Sequence, residues 1–376
     1  MLDQRRVANL PCGMVALIFS IAIIGLATVY SATYTAKGPS SLYYRQLVWI
    51  AIGVMVMLFA LAVDYHTVGR YAYVLYAISL VLLFLVMAIG KTGMGAQRWL
   101  AIGPFAFQPS EFAKLSLTLA LARYFAEDPK RGGYGLRDLA IPGVMVMVPL
   151  VLVLKQPDLG TALMLLLTAS LIVMIAGIRA RSVVVVLLIG ATIASAVFLV
   201  PPVRHRIWGK LKPYQQNRIT AFVDPGSDPL GSGYHANQSK IAVGSGQIIG
   251  KGFRQGTQSQ MAFLPERHTD FIFAVISEEH GLIGASLLVI LYLVLLLTGV
   301  DTAKNAKDRL GVLMAGGIVS MISLYVFINV GMAVGIVPVV GVPLPLVSYG
   351  GTSIITTFLA LGLLLNIQIR RFMLFY

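Results

Sequence analysis

Residues 270–299 read DFIFAVISEEHGLIGASLLVILYLVLLLTG, and the second half of that stretch decides the fold. From Leu282 to Thr298 no residue is charged and nearly all are apolar, the composition that a helix needs to cross a hydrocarbon core about 30 Å thick. The first half differs, because Asp270, Glu278, Glu279 and His280 crowd it. As one helix the stretch would measure about 45 Å at 1.5 Å per residue. That is roughly 15 Å too long for the core, so the surplus is expected at the Asp270 end, projecting past the lipid or lining a wet cavity.

Similar apolar runs occur on both sides of it. They lie near 13–31, 46–63, 71–90, 110–126, 139–154, 159–176, 182–200, 310–336 and 347–367, with Glu111, Lys114 and Arg123 interrupting the fourth. At 376 residues, 57% hydrophobic and 12% charged, with a mean hydropathy of +0.83, the chain lacks the polar surface to cover a soluble globule. The expected fold class is an all-α integral membrane protein of about ten transmembrane helices, residues 1–376 forming one polytopic membrane domain. Arg5 and Arg6 precede the first run as in a signal peptide, but no small-residue cleavage pattern follows, so the run is read as retained. A single cysteine, Cys12, excludes an internal disulfide.

The net charge of +14 is decided by position rather than by sum. With the N-terminus inside, the inner segments hold fourteen Lys and Arg, among them Arg123, Lys130, Arg131, Arg309 and Arg371, against five in the short outer loops: Lys37, Arg45, Lys91, Arg98 and Lys155. Both termini are therefore expected in the cytoplasm, and nucleic-acid binding loses its motivation. Residues 201–269 then form one large extracytoplasmic loop between the seventh and eighth spans. Its aromatic residues, glycine turns and apolar runs such as Ile241-Ala242-Val243 favour short interfacial helices joined by glycine turns over disorder.

Ionisable groups within or at the ends of spans are functional candidates by default. Glu111 and Lys114, three apart, share a helix face and fit either a structural ion pair or a substrate role. Asp158 fits a helix cap. Glu278 and Glu279 point about 100° apart and cannot both face one cavity squarely, which argues against direct catalysis by either. Asp270, after Glu266-Arg267-His268-Thr269 at the outer start of the overlong helix, suits either a general base or an N-cap. The run GSGQIIGKG at 244–252 misses the phosphate-binding P-loop pattern at two positions. No zinc-type Cys/His cluster, G-x-S-x-G elbow or H-E-x-x-H helix is present. In the long loop nine cations, Lys240 and Arg267 among them, outnumber four acids. They are suitable partners for a diphosphate, or for anionic lipid headgroups.

Taken together these residues resemble the SEDS family of bacterial cell-wall glycosyltransferases. The matches are Gly95-Ala96-Gln97-Arg98-Trp99, Gln108-Pro109-Ser110-Glu111 with Lys114, and Gln156-Pro157-Asp158-Leu159-Gly160-Thr161. They continue through Asp228 to Tyr234, Gly256 to Gln260, Phe263 to Phe273 and Pro343 to Gly351. Val340 to Pro345 and the short tail after Asn366 look like the elongation branch of the family rather than its division branch.

The resemblance implies polymerisation of lipid II, an undecaprenyl-pyrophosphate-linked disaccharide peptide, into glycan strands on the outer face of the bacterial cytoplasmic (inner) membrane. It puts the catalytic aspartate on Asp270, and substrate-binding positions on Arg45, Arg98, Gln108, Ser110, Glu111, Lys114 and Asp158, to which the loop's Lys240, Arg267 and His268 are added. It implies a class B penicillin-binding transpeptidase as partner, with other membrane proteins of the elongation complex. Gly281, Gly284 and Ala285 are small enough to admit that partner's membrane helix near the eighth and ninth spans. An α-linked donor and a β-linked product require one inverting displacement, with or without a divalent cation such as Mg or Mn. A lipid II flippase and a scaffold for the transpeptidase are the competing readings.

Overall fold

The computed structural model describes residues 11–35, 38–93, 96–102, 105–199, 232–261, 263–264 and 266–371, together with Gly209, Gln216 and Thr220. Helices dominate. Before the long loop come α1 (Cys12–Thr33), α2 (Ser41–Ala62), the short α3 (Tyr65–Arg70), α4 (Ala72–Ile89), α5 (Pro109–Glu127), α6 (Ala140–Lys155), α7 (Leu159–Ala176) and α8 (Ala180–Leu199). Within the loop lie α9 (Ser232–Ser245) and α10 (Thr257–Gln260), and after it α11 (Ile272–Lys304), α12 (Arg309–Val334) and α13 (Gly351–Arg370). Among the described residues eight helices are long and apolar enough to cross a membrane.

Burial follows chemistry. The helix α5, interrupted by charge, is sheltered between α4 and α12, with Ala113 and Leu115 to Ala122 enclosed. The helices α12 and α13 form the interior, α12 against α5, α7 and α11, and α13 against α2. Outward-facing apolar side chains such as Phe59, Phe84 and Leu188 are more than three-fifths exposed, as expected of residues solvated by lipid tails. At the end opposite Asp270, Arg309 donates to the carbonyls of Phe125 and Ala176, both at 3.0 Å. It thereby satisfies the open C-termini of α5 and α7.

The expected spans fall within a few residues of the observed helices, with one addition and three corrections. Between α4 and α5, β1 (Lys91–Gly93), β2 (Ala96–Ile102) and β3 (Phe105–Phe107) form a small antiparallel sheet in that order. Pairing there satisfies the main chain of a loop too short to fold otherwise. The last span begins at Gly351, not 347, because residues 344–349 are held in turns. The helix α11 runs on to Lys304 but is broken at Gly281 (φ 63°, ψ −161°), so its apolar part is 282–304 and the surplus is the preceding stretch 272–280, about two and a half turns. That surplus is covered by the rest of the chain rather than wet, since residues 272–279 are buried. Finally, Gly281 and Ala285 are enclosed by this chain's own fold, so the small-residue face read as a partner surface is largely occupied. Residues 201–231 of the long loop, apart from Gly209, Gln216 and Thr220, lie outside the described residues, and with them Arg204, Arg206, Lys210, Lys212, Arg218, Asp224 and Asp228.

Candidate active site

Asp270 sits on a turn whose main chain is fixed carbonyl by carbonyl. Tyr349 N donates to His268 O at 2.8 Å, Ser348 Oγ to Thr269 O at 2.6 Å and Asn329 Nδ2 to Asp270 O at 3.0 Å. The N-cap of α11 is Phe271, with no side-chain cap hydrogen bond. Asp270 is therefore not the cap of that helix, and one of its two sequence readings falls away. Its residue is partly exposed, and its Oδ2 lies against Gly341, where an added Cβ would stand 3.3 Å away. Gly341 is also left-handed, at φ 75°, a conformation glycine adopts without steric cost.

Two of these three donors come from residues 340–350, a non-helical stretch packed into the end of the bundle. Such backbone is tolerated at membrane depth only where its polar groups are satisfied by protein. Here they are: Leu344 N donates to Ser348 Oγ at 2.8 Å, Gln46 Nε2 to Ser348 O at 3.2 Å, and the Tyr292 hydroxyl to Pro345 O. Val342, Leu344, Leu346 and Val347 are buried around them.

The same loop gathers other candidates at this end. Lys240 packs against Gly335, the C-cap of α12, at the far end of the 335–341 segment from Asp270. Gly160 approaches the Val340 carbonyl so closely that a Cβ would lie 2.3 Å from it. That brings in Asp158, which caps α7 through Thr161 N at 3.2 Å and stands 3.7 Å from Arg98 Nε. Arg98 also donates to the carbonyls of Gln156 and Pro157, so it joins the loop containing the sheet to the start of α7. Arg98, Asp158, Lys240 and Asp270 thus line one end of the bundle, where α2, α5, α7, α11 and α13 all begin. Five helix N-termini there contribute positive partial charge.

Gln108 precedes α5, its N donating to Thr352 Oγ1 at 3.0 Å and its side chain to Ser110 at 3.1 Å. Glu111 and Lys114, one turn deeper, pair at 2.7 Å and are only 4% and 2% exposed. The Tyr325 hydroxyl closes the group by donating to Glu111 at 2.6 Å, and Lys114 Nζ lies 4.5 Å from the Tyr325 ring centre. Arg45 is exposed on the first turns of α2. Arg267 donates to Ser259 O, and burial pushes its guanidinium's pKa down. His268 packs tilted against Tyr349, with ring centres 5.8 Å apart. Burial depresses its pKa, with Arg267 adding to the effect and Glu266 opposing it.

The glycine run at 244–252 has a structural task. Lys251 N and Gly252 N donate to the carbonyls of Glu278 and Glu279 at 3.0 and 2.9 Å. On the other side of the break, Leu282 N and Ile283 N donate to Gln247 O and Ile248 O at 2.9 and 3.1 Å. The four main-chain groups freed at Gly281 are thereby paired, and Glu278 ties the loop down further through Lys251 Nζ at 2.8 Å, Gln258 N at 2.8 Å and Ser259 N at 3.0 Å. A splint explains the glycines that a phosphate loop did not. The residues missed at the sequence level are polar but uncharged: Asn329, Ser348 and Gln46. A search restricted to ionisable groups passes over them, whereas any buried amide in a span signals a required partner. Among the described residues no group of three His, Cys, Asp or Glu could hold a metal ion.

Bundle and site together define a polytopic membrane protein that holds a clamped, partly exposed carboxylate at one end of its helices. The model of the cell cycle protein family named for FtsW, RodA and SpoVE matches residues 10–372, and this chain belongs to that family. It is 42% identical over 350 residues, 92% of this chain and 91% of the relative, to peptidoglycan glycosyltransferase MrdB of Escherichia coli. To stage V sporulation protein E of Bacillus subtilis it is 38% identical over 362 residues, 94% and 96% of the two chains. Among solved structures it is similar to a chain of a peptidoglycan synthase complex described as coordinating polymerization and crosslinking. The TM-score there is 0.80 at 34% identity, covering 96% and 98% of the chains. It is also similar to the rod shape determining protein RodA of Thermus thermophilus, with a TM-score of 0.70 at 29% identity over 97% and 98%.

Proposed function

We propose that this chain is a peptidoglycan glycosyltransferase that polymerises lipid II on the outer face of the cytoplasmic membrane during cell elongation. The kinship with relatives named for that activity supports the reaction class. The observation that carries the reading at this chain's own site is Asp270: a partly exposed carboxylate on a turn fixed at three successive carbonyls. In the reaction Asp270 accepts the proton of the acceptor's 4-hydroxyl as that oxygen attacks the donor's anomeric carbon. The bond from that carbon to the pyrophosphate oxygen breaks, and undecaprenyl pyrophosphate leaves with inversion.

Lys240 is the cation best placed to meet the departing charge, since it flanks the same 335–341 segment and is exposed. Arg45, also exposed, is a second, and the helix N-termini at this end add to both. Arg98 and Asp158 hold the neighbouring loop rather than the reacting atoms. A metal held by three of this chain's own side chains does not fit the described residues, and the displacement is derived without one.

The charge distribution supports placing this end outside the cell. The likeness to a chain of a synthase complex supports a crosslinking transpeptidase as partner. The test is polymer formation from lipid II by the purified full chain and by Asp270→Asn. Polymer from the parent and about 10² to 10⁴-fold less from the variant, the usual worth of a positioned base, is expected. Movement of lipid II across vesicles without polymer would instead favour a flippase.

A further inference from the structure

We propose that Asn329 is a positioning residue for Asp270, a main-chain staple that fixes how far the carboxylate reaches from the bundle. The inference rests on Asp270 being the base. Asn329 lies on α12 five residues before its end, 0% exposed, among Val326, Ile328 and Met332. Its Nδ2 carries two hydrogens, and both are used: one on Asp270 O at 3.0 Å, the other on Val342 O at 2.8 Å. Its Oδ1 has no hydrogen-bond partner. The amide orientation is dictated by chemistry, because an oxygen turned toward two carbonyls would meet acceptors only.

An apolar side chain of the same size would remove the unpartnered Oδ1 but leave the carbonyls of Asp270 and Val342 without this donor. The amide is therefore retained for its two donors, and they join the two segments that face each other across the carboxylate. Val342 is next to Gly341, against which Asp270 Oδ2 rests. The Asp270 carbonyl is one bond from the Cα that carries the carboxylate. One planar group thus sets the distance between the turn bearing the base and the wall behind it. Ser348 Oγ and Tyr349 N fix the two preceding carbonyls, whereas the donor from Asn329 acts on Asp270 itself.

Displacements of about 1 Å in a reacting group cost up to about 10²-fold in rate. Asn329→Asp, which keeps the shape and replaces the donor by an acceptor, and Asn329→Leu, which removes polarity, are compared with the parent as purified full chains acting on lipid II. Expected are kcat losses of about 10 to 10²-fold with KM within about twofold, and a lower melting temperature in both variants because two carbonyls lose their donor. Expected too is no further loss when either change is added to Asp270→Asn, because a residue acting only through Asp270 has nothing left to position. The proposal is overturned by near-parental kcat in both variants, by an equal further loss on the Asp270→Asn background, or by failure of both variants to accumulate, each of which makes Asn329 a packing residue. Parental activity of Asp270→Asn alone would instead remove the base assignment, a separately visible result.

Discussion

The break in α11 makes a quantitative prediction. Gly281 occupies φ 63°, ψ −161°, a region open essentially to glycine, and a residue with a Cβ forced there costs about 1–3 kcal/mol. A Cβ would also stand 2.4 Å from Gly250 N and 2.5 Å from Ile248 O. Both are main-chain atoms of the splint, so neither can rotate away, and relieving such overpacking costs a further 1–3 kcal/mol or so. Gly281→Ala should therefore destabilise the fold by about 2–6 kcal/mol, a large part of the 5–15 kcal/mol typical of a folded protein. Thermal unfolding of the purified chain in detergent should show a drop on the order of 3–8 °C, and hydrogen exchange should show the amides of Lys251, Gly252, Leu282 and Ile283 losing protection. The control is Gly143→Ala in α6, where an added Cβ meets nothing within 4 Å and helix propensity favours the change by about 1 kcal/mol. If Gly281→Ala melts within a degree or two of the parent, the splint does not hold the break together.

Two further outcomes are expected. Lys114→Met should cost about 3–5 kcal/mol by leaving Glu111 buried without its partner, whereas the double variant Glu111→Gln, Lys114→Met should recover most of that stability. Polymerisation assays on the double variant then separate the two roles, since a purely structural pair predicts activity and a substrate contact predicts its loss. For His268, burial holds the pKa below the ordinary 6.5, so the unfolded chain takes up this proton at a higher pH than the folded one. The associated stability is full above about 6.5 and is lost as pH falls through and below it. The melting temperature should accordingly drop between pH 7.5 and 5.5, and His268→Gln should flatten that dependence. An unchanged slope in the variant would exclude His268 as its source.

Much of the bundle was legible in the sequence because lipid imposes a simple rule: a run of apolar residues of fixed length becomes a helix. Even α5, interrupted by Glu111, Lys114 and Arg123, obeyed it, since Glu111 and Lys114 pair inside the protein and Arg123 pairs with Glu127 at the helix end. What could not be read was how non-helical segments satisfy their main chains. The GSGQIIGKG run looked like a failed anion loop, and only the three-dimensional pairing with Glu278, Glu279, Leu282 and Ile283 reveals a splint. Asp270 was visible as a candidate by its position, but its alternative as an N-cap could be removed only by seeing Phe271 in that place. Asn329 was hidden because an amide in an apolar helix carries no charge to draw notice, while its two acceptors lie 59 and 13 residues away in sequence.

The central claim is that proton abstraction by Asp270 drives glycan polymerisation at this end of the bundle. The most direct measurement is single-turnover polymerisation of lipid II by the purified full chain, parent against Asp270→Asn, with crosslinking blocked by a β-lactam. The parent should form glycan strands, and the variant should form them about 10² to 10⁴-fold more slowly while inserting and melting normally. Polymer formed by Asp270→Asn at the parental rate would contradict the account and leave the acceptor hydroxyl without its base.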